Sequence, residues 1–211
     1  MNILYLYAHP QLASFNAALK NHALEILAQH QQHVKLSDLY ADHFNAVASW
    51  DDFDSASSNN QYFLAQQNAL LTNTLHHDIK REIEKLAWAD HVIFQFPLWW
   101  FSVPAILKGW LDRVLVKGFA YDAGKVFDNG LLKGKTASII TSTQSPLEAY
   151  QINGAHGATM NTFLHSIHHT LRFVGMTPLD PFIVYGAFNL DAEARMLTFT
   201  QLTQHLTTQL S

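Results

Sequence analysis

The sequence predicts a single α/β domain over residues 1–211, a three-layer sandwich around a five-stranded parallel sheet of order 2-1-3-4-5. Three observations carry that expectation. Short runs of aliphatic, β-branched and aromatic residues recur along the chain; each run is apolar nearly throughout; and helical patterns stand between them. A strand that is apolar on both faces needs cover on both faces, and helices connecting parallel strands provide it.

The strands are expected at 2–8, 33–36, 91–96, 136–141 and 182–185, and helices at 14–31, 78–88, 104–114, 160–173 and 191–210. Leu19, Ala23, Ile26 and Leu27 show the spacing of a core-facing helical stripe. Residues 51–60 (DDFDSASSNN) read as a polar surface loop, followed by a polar helical segment over 61–71 and a His/Thr-rich connection through 72–77. No internal repeat is visible.

Composition narrows the class. With 48% hydrophobic and 14% charged residues the chain reads as a folded domain rather than a disordered one. A net charge of −4 argues against a nucleic-acid binder. The absence of cysteine excludes disulfides, thiolate metal sites and a cysteine nucleophile, and it suits a reducing compartment. The N-terminus enters an apolar run without a basic segment, so it reads as a first strand and not a signal peptide. The most apolar stretch, 92–107, is too short to span a membrane and is broken by Gln95, Pro97, Ser102 and Pro104. Cytoplasmic location without membrane insertion is the expectation.

In open parallel sheets ligands bind beyond the carboxyl ends of the strands, where strand order reverses. Here that means the segments after strands 1, 3 and 4. After strand 1 there is neither a G-x-G-x-x-G fingerprint nor a P-loop, but Ser14 can cap a helix whose N-terminal amides suit a phosphate. An ordinary capped helix fits those residues equally. After strand 3, Trp99, Trp100 and Phe101 follow one another between Pro97 and Pro104, a sequence suited to a flat ligand; core or subunit-interface packing is the alternative. After strand 4, residues 142–145 supply hydroxyl and amide groups, and Tyr150 and His156 are possible proton donors or hydrogen-bonded structural residues. His165 and His169 have i, i+4 spacing, but no third ligand accompanies them, so a solvated or interfacial helix face is expected and no metal.

The run VIFQFPLWWFSVPAILKGWLDRVLVKGFAY, 92–121, resembles the flavin loop and following helix of the NAD(P)H:quinone oxidoreductase (DT-diaphorase-like) family of flavodoxin-like flavoproteins. Ser14-Phe15-Asn16, the stretch SDLYA at 37–41 and Phe44-Asn45 are similar to family positions too. The resemblance implies a flavodoxin-like fold, FAD as cofactor with FMN as the alternative, NAD(P)H as co-substrate, and two-electron hydride transfer to a quinone by a ping-pong cycle. It implies that His9, Ser14, Phe15 and Asn16 hold the phosphates and adenosine side, with Gln61 and Arg195 at the adenine. Pro97, Leu98, Trp99, Trp100 and Phe101 match the loop against the flavin ring, and Ser142, Thr143, Gln144 and Ser145 the second ring loop. Tyr150 and His156 match the pair that stabilises charge on the reduced ring and relays a proton, Tyr150 also touching the cofactor. Trp100, Phe101, Tyr121 and His156 match substrate-pocket positions, Tyr121 being contributed by the partner of a homodimer. Helices 104–114 and 160–173 are the candidate dimer contacts. The chain departs from the family at Gln144-Ser145, where mammalian-type enzymes carry two glycines, at Trp99, which replaces a smaller polar residue, and at Ala123, which stands for a tyrosine. The alternative reading is a flavin-binding ancillary subunit of a potassium-efflux transporter.

Overall fold

The computed structural model describes residues 1–53 and 61–210. The chain opens with β1 (Asn2–Tyr7), α1 (Phe15–Gln29) and β2 (His33–Asp38). It continues through α2 (Tyr62–Leu71), α3 (His77–Trp88), β3 (His91–Pro97) and α4 (Ala105–Val114). The last elements are β4 (Thr136–Ser142), α5 (Met160–Phe173), β5 (Thr177–Pro178), β6 (Phe182–Val184) and α6 (Ala192–Leu210).

All strand pairs are parallel, in the order β2-β1-β3-β4-β5, with β6 also on β4. The expected order 2-1-3-4-5 is therefore the observed one. The fifth position differs in detail, being two short strands and not one run. β5 pairs with the start of β4 (Thr136↔Thr177) and β6 with its end (Ile140↔Phe182). Between them Pro181 has no N–H to give the ladder, and the N–H of Leu179 makes the last bond, to the Ala137 carbonyl at 2.7 Å.

Successive residues of a strand point to opposite faces, and the core divides accordingly. Ile3, Tyr5, Tyr7, Ile93 and Ile140 pack beneath α1 and α6, against Leu19, Ala23, Leu27, Leu202 and Leu206. Leu4, Leu6, Val92, Phe94 and Phe96 face α3, α4 and α5, against Ile79, Trp110, Leu164 and Leu171. Both faces are covered, which is why β1 and β3 are buried nearly throughout, while the edge strand β2 (HVKLSD) keeps polar residues.

One loop expectation changes. Of the stretch 51–60, residues 54–60 lie outside the described residues, but Asp52 and Phe53 are buried and not at the surface. Asp52 accepts from Arg113 Nε at 2.9 Å and from the Tyr62 hydroxyl at 2.6 Å, while Arg113 Nη1 also reaches Asp78 at 2.6 Å. A fully buried guanidinium requires such carboxylates, and they draw the acidic residue inward. Burial alone would raise the Asp78 pKa; the bonds from Arg113 and His76 overcome it and hold that carboxyl below its usual range.

Candidate active site

The carboxyl ends of β1, β3 and β4 open into a cavity of about 930 Å³. Its base is a chain of buried polar groups. Gln95 on β3 is fully buried; its side chain accepts from the Tyr5 hydroxyl at 2.5 Å and donates to the Asn16 carbonyl at 2.7 Å. The Asn16 side chain in turn donates to Ser142 Oγ at 2.9 Å, and that hydroxyl returns a bond to Asn16 Oδ1 at 3.2 Å. The start of α1 is thereby fixed to the ends of β3 and β4. A satisfied buried network of this kind holds one geometry, because any shift strands a polar group without water.

On one side of the cavity lies the first turn of α1. Ser14 Oγ accepts the N–H of Ala17 at 3.1 Å, and the Ser14 carbonyl accepts that of Ala18. The N–H groups of Phe15 and Asn16 belong to the unpaired first turn and lie at the positive end of the helix dipole, which suits an anion. His9 Nδ1 accepts the N–H of Gln11 at 3.1 Å, and burial lowers its pKa. Its ring is therefore the neutral tautomer with a hydrogen on Nε2, free to donate.

Opposite, the aromatic segment after β3 is a two-residue hairpin. Trp99 and Ser102 exchange both backbone hydrogen bonds at 3.0 Å, with Trp100 at φ 50° and Phe101 at φ 61°. Two consecutive positive φ values are those of a type I′ turn, a conformation that favours Asn and Gly. Here it carries two of the largest side chains. The exchange uses the amides of residues 99 and 102, leaving those of Trp100 and Phe101 for another acceptor. Trp100 is 94% exposed, and the Trp99 ring lies 6.0 Å from that of His9. Such strain persists where the surroundings impose it, typically at ligand sites.

The third wall follows β4. Thr143 Oγ1 donates to the Ser145 carbonyl at 2.7 Å and shapes the loop holding Gln144. Beyond it the backbone doubles back so that the N–H of His156 meets the Ala149 carbonyl at 3.0 Å. At Gly154 a Cβ would stand 2.2 Å from the Glu148 carbonyl oxygen, so glycine alone permits this closure. The result sets the His156 ring 4.6 Å from Tyr150 and 5.0 Å from Phe101. His156 Nε2 is buried and has no hydrogen-bond partner among the described residues. An orphaned ring nitrogen in a cavity wall calls for a ligand atom.

Comparison with known proteins agrees with this geometry. A family model described as a flavodoxin-like fold matches residues 1–206. The chain belongs to the flavodoxin-like family. Its relatives include the mouse ribosyldihydronicotinamide dehydrogenase [quinone], 41% identical over 208 residues, covering 97% of this chain and 90% of that protein. The rat NAD(P)H dehydrogenase [quinone] 1 is 41% identical over 197 residues, covering 92% and 72%. Among solved structures, one from Klebsiella pneumoniae, provisionally assigned as a quinone reductase, superposes with a TM-score of 0.95 at 37% identity, covering 99% of this chain and 85% of that one.

In this flavodoxin-like chain the cavity gathers His9, Ser14, Phe15, Asn16, Pro97, Leu98, Trp99, Trp100, Phe101, Ser142, Thr143, Gln144, Ser145, Tyr150, His156 and Arg195. Two candidates stand elsewhere. Tyr121 lines a second, apolar hollow of about 530 Å³ with Tyr62, Phe63, Leu111, Ile167 and Phe173. Gln61 precedes α2, the helix that sends Tyr62 and Phe63 into that hollow. Sequence reasoning missed Gln95 as the support of the site, although a glutamine inside the apolar run VIFQFP was a visible signal. It also missed Ala187 and Phe188, which line the cavity from the loop after β6. Among the described residues no group of three or more His, Cys, Asp or Glu side chains is placed to hold a metal, and no helix is long and apolar enough to cross a membrane.

Proposed function

We propose that this chain is a flavin-dependent NAD(P)H:quinone oxidoreductase with FAD as its cofactor. The observation that carries the reading is the hairpin of Trp99, Trp100 and Phe101 set across one cavity from the helix N-terminus at Ser14. A flat ring and an anionic tail fit the two ends of that cavity, and the names of the mouse and rat relatives give the reaction class. A flavin bound there would supply the redox chemistry, two-electron hydride transfer between NAD(P)H and a quinone in ping-pong order.

The protein's part is placement and charge. Trp100 and Phe101 would hold the ring of a bound flavin, with the loop 142–145 on the other side of the cavity. The amides of Phe15 and Asn16, with Ser14 and His9, hold the phosphates. With a flavin bound, His156, with Tyr150 against it, would balance negative charge on the reduced cofactor and give a proton to the acceptor. Arg195 lies 5.4 Å from the centre of the Phe15 ring and stands at the tail end.

The same reading includes a homodimer in a reducing, cytoplasmic compartment. On this reading the partner sits on the apolar hollow between α2, α4 and α5, with Tyr121 and the region of Gln61 at the subunit boundary. Release and identification of the cofactor, followed by NADH and NADPH oxidation with a quinone, tests the function. Parallel double-reciprocal plots and a bound flavin are expected; flavin-free protein without turnover refutes it. Light scattering that finds an active monomer refutes the shared pocket.

A further inference from the structure

We propose that Phe163, on α5, is a positioning residue that holds the aromatic hairpin and the Tyr150–His156 pair in one fixed relation. The role rests on the flavin reading above and adds a residue behind the cavity wall. Phe163 is half-buried and, among the described residues, forms no part of the cavity lining. Its ring nevertheless contacts three residues that do. It stacks on Phe101, with centres 5.2 Å apart and planes 30° apart. It stands nearly perpendicular to Tyr150 at 5.7 Å and to His156 at 6.3 Å. Aromatic pairs at such separations hold a preferred orientation as well as burying area.

A brace must itself be fixed, and the helix provides that. Met160, Leu164, Ile167 and Leu171 recur at helical spacing, each 3% exposed or less, and seat α5 in the core. Phe163 is in the first turn, where its N–H reaches the Thr159 carbonyl at 3.4 Å. The groups it touches are the opposite case. Phe101 belongs to the hairpin, at φ 61°, and His156 follows a loop that closes only over Gly154. These loops leave different strands, β3 and β4, and their rings meet with Phe101 5.0 Å from His156. Tyr185 also packs on Tyr150, at 5.6 Å; what Phe163 adds is the link from both members of the pair to the hairpin. A general acid serves only when its proton lies within hydrogen-bond reach of the atom that takes it, so the spacing between pair and hairpin bears directly on rate. The unpartnered Nε2 of His156 is the atom whose direction that spacing sets.

The test is a double-mutant cycle on quinone turnover by flavin-loaded protein, with Phe163→Ala alone, Tyr150→Phe with His156→Gln, and all three together. Phe163→Ala is expected to lower turnover about ten-fold with flavin still bound, the order of cost of a sub-ångström misplacement. In the Tyr150→Phe/His156→Gln background it is expected to lower turnover by less than about two-fold, because no pair is left to place. Phe163→Leu keeps the core filled and goes through the same cycle in case alanine prevents folding. Its expected loss is about three-fold with the pair present and none without it. Equal losses in the two backgrounds would overturn the role and make Phe163 a packing residue, as would wild-type turnover in the folded single variants. Wild-type protein with no bound flavin or no turnover would overturn the reading of the cavity and this role with it, a result distinct from the other two.

Discussion

The aromatic hairpin yields a prediction in which stability and binding move in opposite directions. Trp100 sits at φ 50°, where a non-glycine residue costs about 1–2 kcal/mol. Its side chain is 94% exposed, so truncating it forfeits little burial. Glycine removes the left-handed penalty but adds about 0.5–1 kcal/mol of chain entropy to the unfolded state. The difference leaves Trp100→Gly more stable as apoprotein by about 0.5–1 kcal/mol, or a melting temperature higher by about 2 °C in a domain of this size. The same change removes the largest face offered to the flavin ring. An aromatic pair contributes about 0.5–1.5 kcal/mol beyond its buried area, so flavin affinity should fall by several-fold to about ten-fold. Thermal denaturation of the apoprotein and a flavin titration read the two effects separately. Trp100→Val is the control, since a β-branched residue at positive φ should lower the melting temperature. An apoprotein of Trp100→Gly that melts several degrees below wild type would show that the turn is not strained, and the reasoning would fail.

Three further outcomes follow from other parts of the structure. Tyr150→Phe combined with His156→Gln should lower quinone turnover by about 10²-fold or more while flavin remains bound, as loss of a general acid does; unchanged steady-state turnover would remove the relay. His91 is 3% exposed between Thr136 Oγ1 at 2.7 Å and Ser138 Oγ at 2.9 Å, and burial lowers its pKa from 6.5 to about 4. Its neutral form is the one the fold favours, so this stability is complete above pH 6.5 and is lost as pH falls towards 4, by about 3 kcal/mol at 1.36 kcal/mol per pH unit. Urea denaturation at pH 7 and pH 4.5 should show a flatter dependence in His91→Gln, and an equal slope would contradict the assignment. Arg113→Met should cost about 3–5 kcal/mol, because it leaves Asp52 and Asp78 buried without their cation; a urea midpoint near wild type would show that the carboxylates find other partners.

The sheet order was legible in the sequence because the central strands are apolar on both faces and the connecting helices are periodic, a pattern that admits few topologies. The three walls of the cavity were legible because parallel sheets place ligands beyond strand ends, so position alone directed attention to Ser14, Trp99–Phe101 and the region of Tyr150 and His156. What escaped depends on distance along the chain. Asp52 looked like a loop residue since its partner Arg113 is 61 positions away, and no local pattern encodes that pair. Gln95 reads as an interruption of a strand until the Asn16 carbonyl, 79 positions earlier, is known to receive it. Over 177–185 the sequence points to a strand only at 182–185, because β6 carries the apolar run, while β5 is only Thr177-Pro178 and has no strand pattern of its own.

The site therefore combines a rigid base with an exposed rim, and the two do different work. At the base, Tyr5, Gln95, Asn16 and Ser142 hydrogen-bond in one chain and fix three backbone segments that come from distant parts of the sequence. Loss of any one member leaves a buried polar group unpaired, so damage there should reach stability and ligand binding together. At the rim, Trp100 and Phe188 make few contacts within the fold, being 94% and 79% exposed. Replacement of Trp100 by glycine should alter ligand affinity without loss of stability. The strain of the hairpin is tolerable because the base does not depend on it: the N–H of Leu98 reaches the Ser142 carbonyl at 2.9 Å before the turn begins, anchoring the segment from β4. A turn held in that way can present two bulky aromatics in a backbone conformation they would not choose, which is how a site keeps a flat surface open in water until its ligand covers it.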